Sequence, residues 1–188
     1  KVVELYHALG VELPGRVAVK VHSGERGNQN FLRPEFWRPM AEDVHGTIVE
    51  CNTAYGDAAG GVRDHTESHR KLLEEHGWTR YFDVDLMDAE GPDVVWPIPN
   101  GKVLKENHVG KHILNYETWK QHASSVVFPE AMADAASSVA AHFQGRIAFI
   151  NVMKNLSVDC DCCEVAEDPC MQDIGILSSL DPVAIDQA

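Results

Sequence analysis

Short hydrophobic segments alternate with amphipathic segments along this chain, and this alternation limits the possible folds most strongly. Residues 16–22 (RVAVKVH) and 146–153 (RIAFINVM) are dense in β-branched residues, as is typical of short buried strands. Residues 63–76 are amphipathic and highly charged, and Gly77 stands where a helix C-cap glycine belongs. Such alternation favours an α/β fold, with a mainly parallel mixed sheet flanked by helices. Further strands are predicted at residues 47–51, 81–87 and 174–177, and further helices at residues 34–45 and 130–142.

A β-hairpin and a helix start are indicated by local turn and capping chemistry. The dipeptide Asn100-Gly101 is a strong hairpin signal, so we predict residues 93–98 and 102–107 as its two strands. Asp181-Pro182 combines an N-cap acceptor with a proline at the first helical position. We therefore predict a helix that starts there. Since the sequence stops barely two turns later and does not begin with methionine, we expect the natural protein to extend beyond both ends.

Length and charge narrow the class of protein. The chain has 188 residues, of which 44% are hydrophobic, and this is enough for one α/β domain over residues 1–188. Its formal net charge of −13 disfavours nucleic acid and anionic membranes as partners. No apolar run approaches the roughly 20 residues of a membrane span. The odd number of cysteines and their tight spacing favour a reducing, cytoplasmic location, and a homo-oligomer stays open.

A cluster of cysteines predicts a metal site. Four of the five cysteines fall within eleven residues, at Cys160, Cys162, Cys163 and Cys170. Thiolates are preferred ligands of soft metals and of iron–sulfur clusters, and a bound cation would relieve the repulsion among the acidic residues of the same segment. We predict these four cysteines as ligands of an iron–sulfur cluster or of a single iron or zinc ion. Because the spacing matches neither a ferredoxin run nor a zinc ribbon, a structural loop of small buried cysteines stays the alternative.

Polar residues follow two predicted strands at their carboxyl ends, where ligands bind in parallel α/β sheets. His22 and Glu25 are predicted as a catalytic acid/base pair, with a turn and capping network as the alternative. Asn52 and Thr53 follow the next strand and are predicted to contact a ligand. Arg33, just before a helix, is predicted to hold a small anionic molecule, and an internal ion pair is equally compatible with its position.

Other residues have weaker patterns. The strand predicted at residues 146–153 ends just before the cysteines, so three strand ends are expected to converge. His65 and His69 share a helix face, for which a solvated charged surface is favoured over half of a metal site. Cys51 is interpreted as a small buried cysteine, with a fifth sulfur ligand as the alternative.

Several segments together resemble domain-of-unknown-function family 362. They are, in order, VAVKVHSGERGNQNFLRP, VECNTAYG, NGKVLKENHVG, NVMKNLSVDCDC and DIGILSSLDPVAIDQA. The resemblance implies a cytoplasmic α/β domain in a family often labelled as iron–sulfur-centre proteins of unsettled role. It carries over to nine residues of this chain, which are His22, Glu25, Asn52, Thr53, Cys160, Asp161, Cys162, Asp173 and Asp181.

The chain departs from the family pattern in two respects. An HFKGH-type block is absent, and residues 116–127, where it belongs, have no clear periodicity, so we expect a segment to be missing there. The inserted ferredoxin module of many relatives is absent too, which weakens the iron–sulfur implication. We hypothesise a metal- or iron–sulfur-dependent redox or cofactor-maturation enzyme that uses Cys160 and Cys162. A non-catalytic metal carrier and a metal-independent small-molecule enzyme with a structural cysteine loop are the alternatives.

Overall fold

The computed structural model describes residues 1–53, 61–89, 94–109 and 126–188. The helices are α1 (Val2–Ala8), α2 (Pro34–Asp43), α3 (Thr66–Glu75), α4 (Val127–Phe143) and α5 (Pro182–Gln187), with a 3-10 turn at Trp78–Arg80. The strands are β1 (Ala18–Lys20), β2 (Thr47–Glu50), β3 (Asp85–Leu86), β4 (Val94–Pro97), β5 (Glu106–Val109), β6 (Phe149–Met153) and β7 (Gly175–Ser179). The predicted segment missing near residues 116–127 falls mostly outside the described ranges and stays a prediction.

A three-stranded parallel sheet in the order β1-β2-β3 forms the centre of the first half of the chain. Strand β2 lies in the middle, and Ile48 on it is almost fully buried. Leu73 from α3 and Trp78 from the 3-10 turn pack in the same hydrophobic core. The predicted α/β class and its parallel sheet are therefore confirmed. The carboxyl ends of β1 and β2 open onto the loops that follow them, at one edge of this sheet.

The predicted hairpin is confirmed, but its turn is longer than a two-residue turn. Strands β4 and β5 are antiparallel, and Pro97 pairs with Glu106, so that residues 98–105 form the connection. Within this connection the backbone N–H of Gly101 donates to the carbonyl of Ile98 at 3.0 Å. The Asn100-Gly101 dipeptide thus supplies one turn of a longer loop.

The strand predicted at residues 146–153 forms, as β6, but it does not join the parallel sheet. It pairs with β7 in a separate antiparallel sheet, from Phe149 opposite Ser179 to Met153 opposite Gly175. The connection explains the antiparallel pairing of β6 with β7, because residues 154–174 contain no helix that could serve as the crossover of a parallel pair. The expectation that this strand ends at the same sheet edge as β1 and β2 is therefore wrong. We call residues 154–174 the cysteine loop.

The predicted helix start at Asp181 is confirmed as the cap of α5. The Oδ1 atom of Asp181 accepts hydrogen bonds from the backbone N–H groups of Val183 at 2.8 Å and Ala184 at 3.2 Å. These bonds satisfy two N–H groups that a helix end otherwise leaves unpaired. Among the helices of the described ranges, none has the length and apolar character to cross a membrane.

Candidate functional site

Four charged side chains form a network at the carboxyl edge of the parallel sheet. Lys20 ends β1, Glu50 ends β2, Glu25 lies in the loop after β1, and Arg63 precedes α3. The guanidinium of Arg63 contacts Glu25 at 3.2 Å and Glu50 at 3.3 Å, and the Nζ of Lys20 donates to Glu50 at 2.6 Å. The side chains of Glu25, Glu50 and Arg63 are at most 3% exposed. We call these four residues the ionic cluster.

Backbone N–H groups donate to both carboxylates of the ionic cluster. Glu25 Oε1 accepts from the amides of Arg26 at 2.9 Å and Val62 at 3.1 Å. Glu50 accepts from the amides of Ser23 and Cys51, each at 2.9 Å. Burial would raise the pKa of Glu50, but Lys20 and these amides outweigh it and hold that pKa below its usual value. Glu50 is therefore ionised at neutral pH, as the partner of two cations.

A chain of polar side chains leads from Glu50 to helix α3. The hydroxyl of Ser23 donates to Glu50 Oε1 at 3.1 Å, and His69 Nε2 lies 3.2 Å from the same hydroxyl. His69 Nδ1 lies 3.1 Å from Asn52 Oδ1, and Asn52 Nδ2 donates to Thr66 at 3.1 Å. Since Asn52 presents its Oδ1 to Nδ1, a neutral imidazole donates through Nδ1–H to Asn52, and its Nε2 lies within hydrogen-bond distance of the Ser23 hydroxyl. Every member of the chain then has a partner while the imidazole is neutral.

The half-buried imidazole of His22 and the buried imidazole of His69 are both neutral at physiological pH. Burial, followed by the positive charge of Arg63, lowers the pKa of His22 to about 4. Burial also lowers the pKa of His69 to about 4. His22 Nδ1 accepts a hydrogen bond from the Gly24 amide at 3.1 Å, so its proton resides on Nε2. Within the described ranges, His22 has no hydrogen bond to Glu25, which pairs with Arg63 instead.

The cysteine loop docks on the loop that follows β1. The carbonyl of Asp161 accepts from the backbone N–H of Glu25 at 3.2 Å, which connects the cysteine loop directly to the ionic cluster. Three amide side chains donate to further carbonyls of the cysteine loop, which are Asn28 to Cys163 at 2.9 Å, Gln29 to Ala166 at 2.6 Å and Asn30 to Glu167 at 2.8 Å. The convergence predicted between the loop after β1 and the cysteines therefore occurs, through loop–loop hydrogen bonds.

Gly27 permits this close approach. Its φ of +87° lies in the left-handed region, and a Cβ atom there would come within 2.7 Å of the Glu164 carbonyl oxygen. Nearby, burial raises the pKa of the Asp161 carboxyl, and the charge of Arg63 partly offsets this effect. The two loops thus meet tightly, and a partly buried acidic side chain lies beside the cluster.

Three of the four cysteines in the cysteine loop lie in one turn at residues 160–163, and Cys170 follows it. Cys160 and Cys170 are exposed, whereas Cys162 and Cys163 are half-buried, and none of the five cysteines forms a disulfide. The amide of Cys163 donates to the carbonyl of Cys160 at 2.9 Å, and the amide of Cys162 donates to the sulfur of Cys160 at 3.4 Å. Cys170 is bonded through its amide to the Leu156 carbonyl at 2.8 Å. In the part of the chain that is described, no three His, Cys, Asp or Glu side chains are grouped as ligands of one ion.

Of the other predicted site residues, two are hydrogen-bonded to residues at this sheet edge and one lies apart from it. Asn52 belongs to the polar chain, and its backbone N–H donates to both oxygens of Asp88, at 2.9 and 3.1 Å. The amide of Thr53 donates to the Arg63 carbonyl at 2.9 Å. Arg33 is exposed and is not brought into this group, because its guanidinium lies 4.0 Å from the centre of the Phe31 ring.

The interpretation of His65 and His69 as a solvated helix face holds for one of them only. His65 is exposed, but His69 is fully buried. The solvated interpretation of His69 is therefore wrong, because α3 turns that position toward Ser23 and the sheet edge. Cys51 is half-buried, and burial raises the pKa of its thiol.

A family model described as "Domain of unknown function (DUF362)" matches residues 17–119 and 117–188. The chain belongs to this family. The matched residues include the ionic cluster and the whole cysteine loop, so both features lie within the DUF362 domain. No curated protein and no solved structure matches the chain.

Sequence reasoning misses three of the four residues of the ionic cluster in this DUF362 chain. Arg63 was grouped with the charged helix that follows it, yet it precedes α3 and is buried. Lys20 and Glu50 lie inside predicted strands, and the sequence pattern does not single them out. The available signal is a charged residue directly after the apolar Ile48 and Val49 in a predicted strand, because a charge in a buried strand requires a partner.

Proposed function

We propose that this protein binds a thiophilic metal ion or an iron–sulfur cluster through Cys160 and Cys162 in a reducing, cytoplasmic environment. The observation that supports this proposal best is the backbone N–H of Cys162, which donates to the sulfur of Cys160 at 3.4 Å. Amide hydrogen bonds to sulfur stabilise thiolate ligands and tune metal–sulfur sites. In the proposal the protein is a redox or cofactor-maturation enzyme, and metal binding without turnover would indicate a carrier.

The described residues supply only part of a ligand set. Structural zinc sites use four ligands and iron–sulfur clusters use four thiolates, whereas Cys160 and Cys162 provide two. Since no three ligand-type side chains are grouped in the described ranges, a full site requires the loop to rearrange. Cys163 and Cys170, in the same loop, are the sulfurs that such a rearrangement would recruit.

The surroundings support a fixed position for the proposed ligands. The backbone on both sides of Cys162 is bonded to the loop after β1, through the carbonyls of Asp161 and Cys163. Glu25, which holds Asp161, is itself fixed by Arg63. In this proposal the ionic cluster acts as a support for the ligand loop, and Glu25 is a positioning residue.

The test is metal and sulfide analysis, with an absorption spectrum, on protein purified without oxygen. Wild type is compared with Cys160→Ser, Cys162→Ser and the double variant. We expect bound metal in the wild type and at least a tenfold loss in the double variant, since serine is a poor ligand for soft metals. Iron with sulfide would identify a cluster, and about one zinc per chain would identify a mononuclear site.

Cys51→Ser is the matched control, because Cys51 lies outside the cysteine loop and its half-buried thiol is replaced by a group of similar size. Its metal content should equal that of the wild type. Equal metal content in the wild type and the double variant would refute the proposal, as would a wild type that holds no metal with all thiols free.

A second candidate is a metal-independent enzyme that binds a small anionic molecule beside His22, with a structural cysteine loop. The observation that favours it is the neutral imidazole of His22, whose Nε2–H is a donor without a hydrogen-bond partner among the described residues. Inorganic phosphate and citrate serve as probes in thermal denaturation. A stabilisation that disappears in His22→Ala and persists in His65→Ala, an exposed control, would support this candidate. Equal responses of the two variants would exclude it.

A further inference from the structure

The turn in the cysteine loop places two cysteines three positions apart. The amide of Cys163 donates to the carbonyl of Cys160 at 2.9 Å, and Asp161 and Cys162 are the two central residues of this turn. In such a turn the first and fourth Cα atoms are less than about 7 Å apart. A disulfide spans Cα separations of about 4.4–6.8 Å. The segment is therefore a C-x-x-C turn with a spacing suited to a disulfide.

The two thiols differ in the way that a reactive pair requires. Cys160 is exposed and is open to an incoming disulfide, whereas Cys163 is half-buried. The carbonyl of Cys163 is held by Asn28 at 2.9 Å, so that side of the turn is anchored. An accessible attacking thiol and an anchored second thiol are the components of thiol–disulfide exchange.

We propose that Cys160 and Cys163 form a reversible dithiol–disulfide couple. The thiolate of Cys160 attacks one sulfur of a low-molecular-weight disulfide, breaks its S–S bond and releases one thiol. The thiolate of Cys163 then attacks the Cys160 sulfur of this mixed disulfide and releases the second thiol. The protein loses two protons and two electrons, and the small disulfide takes them up as it is reduced to two thiols.

This couple goes beyond metal binding and needs no metal. Cys160 takes part in both, so closure of the disulfide removes one of the two proposed metal ligands. Cys162 takes part in metal binding only. The variant Cys162→Ser therefore separates the two proposals, because it should lose metal and keep the couple.

The test uses the full chain, treated with a chelator and equilibrated with mixtures of reduced and oxidised glutathione. Free thiols are alkylated and counted by mass spectrometry, and the disulfide is located by peptide mapping. We expect five alkylated thiols under reducing conditions and three after oxidation, with Cys160 and Cys163 protected. The couple should disappear in Cys163→Ser and persist in Cys162→Ser and in Cys51→Ser, with the same midpoint ratio of the two glutathione forms as in the wild type.

Three outcomes would overturn the proposal. They are an alkylation count that does not change with the glutathione ratio, a disulfide that maps to Cys170 or Cys162, and loss of the couple in Cys162→Ser but not in Cys163→Ser. Should Cys163→Ser fail to fold, Cys160→Ser removes the same couple at an exposed position. Metal analysis of the same variants, made before the chelator is added, tests the metal proposal independently.

Discussion

Removal of Arg63 is the most direct test of the ionic cluster. Its side chain is 3% exposed and balances Glu25 and Glu50 through contacts of 3.2 and 3.3 Å. In Arg63→Met the only other cation of the cluster is Lys20, which contacts Glu50. Glu25 then becomes a buried carboxylate without a cation. Breaking a buried ion pair from one side costs about 3–5 kcal/mol, so we expect the free energy of unfolding to fall by that amount.

Urea denaturation at pH 7 measures this change, with Arg38→Met as the matched control. The pair of Arg38 with Glu42 is exposed on both sides, so the control should be indistinguishable from wild type. Arg63→Lys keeps the charge but not the forked geometry of the guanidinium. Its free energy of unfolding should therefore lie between those of Arg63→Met and wild type. If Arg63→Met is no less stable than Arg38→Met, the cluster does not organise this edge.

Two other predictions concern protonation and the contact between the loops. The pKa of His69 is about 4 in the folded protein and 6.5 ordinarily, so the unfolded chain binds the extra proton first as the pH falls. The free energy of unfolding should therefore decrease between pH 6.5 and 4, by about 2 kcal/mol at pH 5 from His69 alone, and its pH slope should be shallower in His69→Gln. Equal slopes in the two proteins would contradict a neutral buried His69. Gly27→Ala should be less stable than Gly15→Ala by about 1–3 kcal/mol and should expose the cysteines to faster alkylation, since both glycines have φ near +85° but only Gly27 meets a carbonyl. Matching stability and alkylation rates in these two variants would show that the loops do not touch at Gly27.

The fold was predictable where local patterns decide it. The β-branched residues 16–22 and 47–51 contain β1 and β2, and the Asp181-Pro182 dipeptide marks the start of α5. The partner of the strand at residues 146–153 was not predictable, because strand pairing depends on the path of the connection and on distant residues. Its hydrophobic pattern is the same for a parallel and for an antiparallel neighbour.

The site was predicted as a location more than as a set of contacts. His22, Glu25 and Asn52 were placed at the carboxyl edge of the sheet from topology, and they lie there. That Glu25 pairs with Arg63 and not with His22 depends on packing between α3 and the loop after β1, which no local motif records. The burial of His69 depends on the rotation of α3, and this rotation is fixed by tertiary contacts.

The docking of the cysteine loop has a consequence for how the chain folds. Its contacts join residues that are 135 to 137 positions apart in the sequence, as in the bonds of Asn28 to Cys163 and of Gln29 to Ala166. Contacts of such long range raise the contact order. Closing the long loop between them costs chain entropy before any contact stabilises the fold, so we expect them to form late. During synthesis the parallel sheet of residues 18–86 can be complete before the four cysteines of the cysteine loop have been made. The half-buried thiols of Cys162 and Cys163 therefore pass through a stage in which they are more accessible than in the folded protein, and at these two positions newly made chains should be oxidised faster than folded ones.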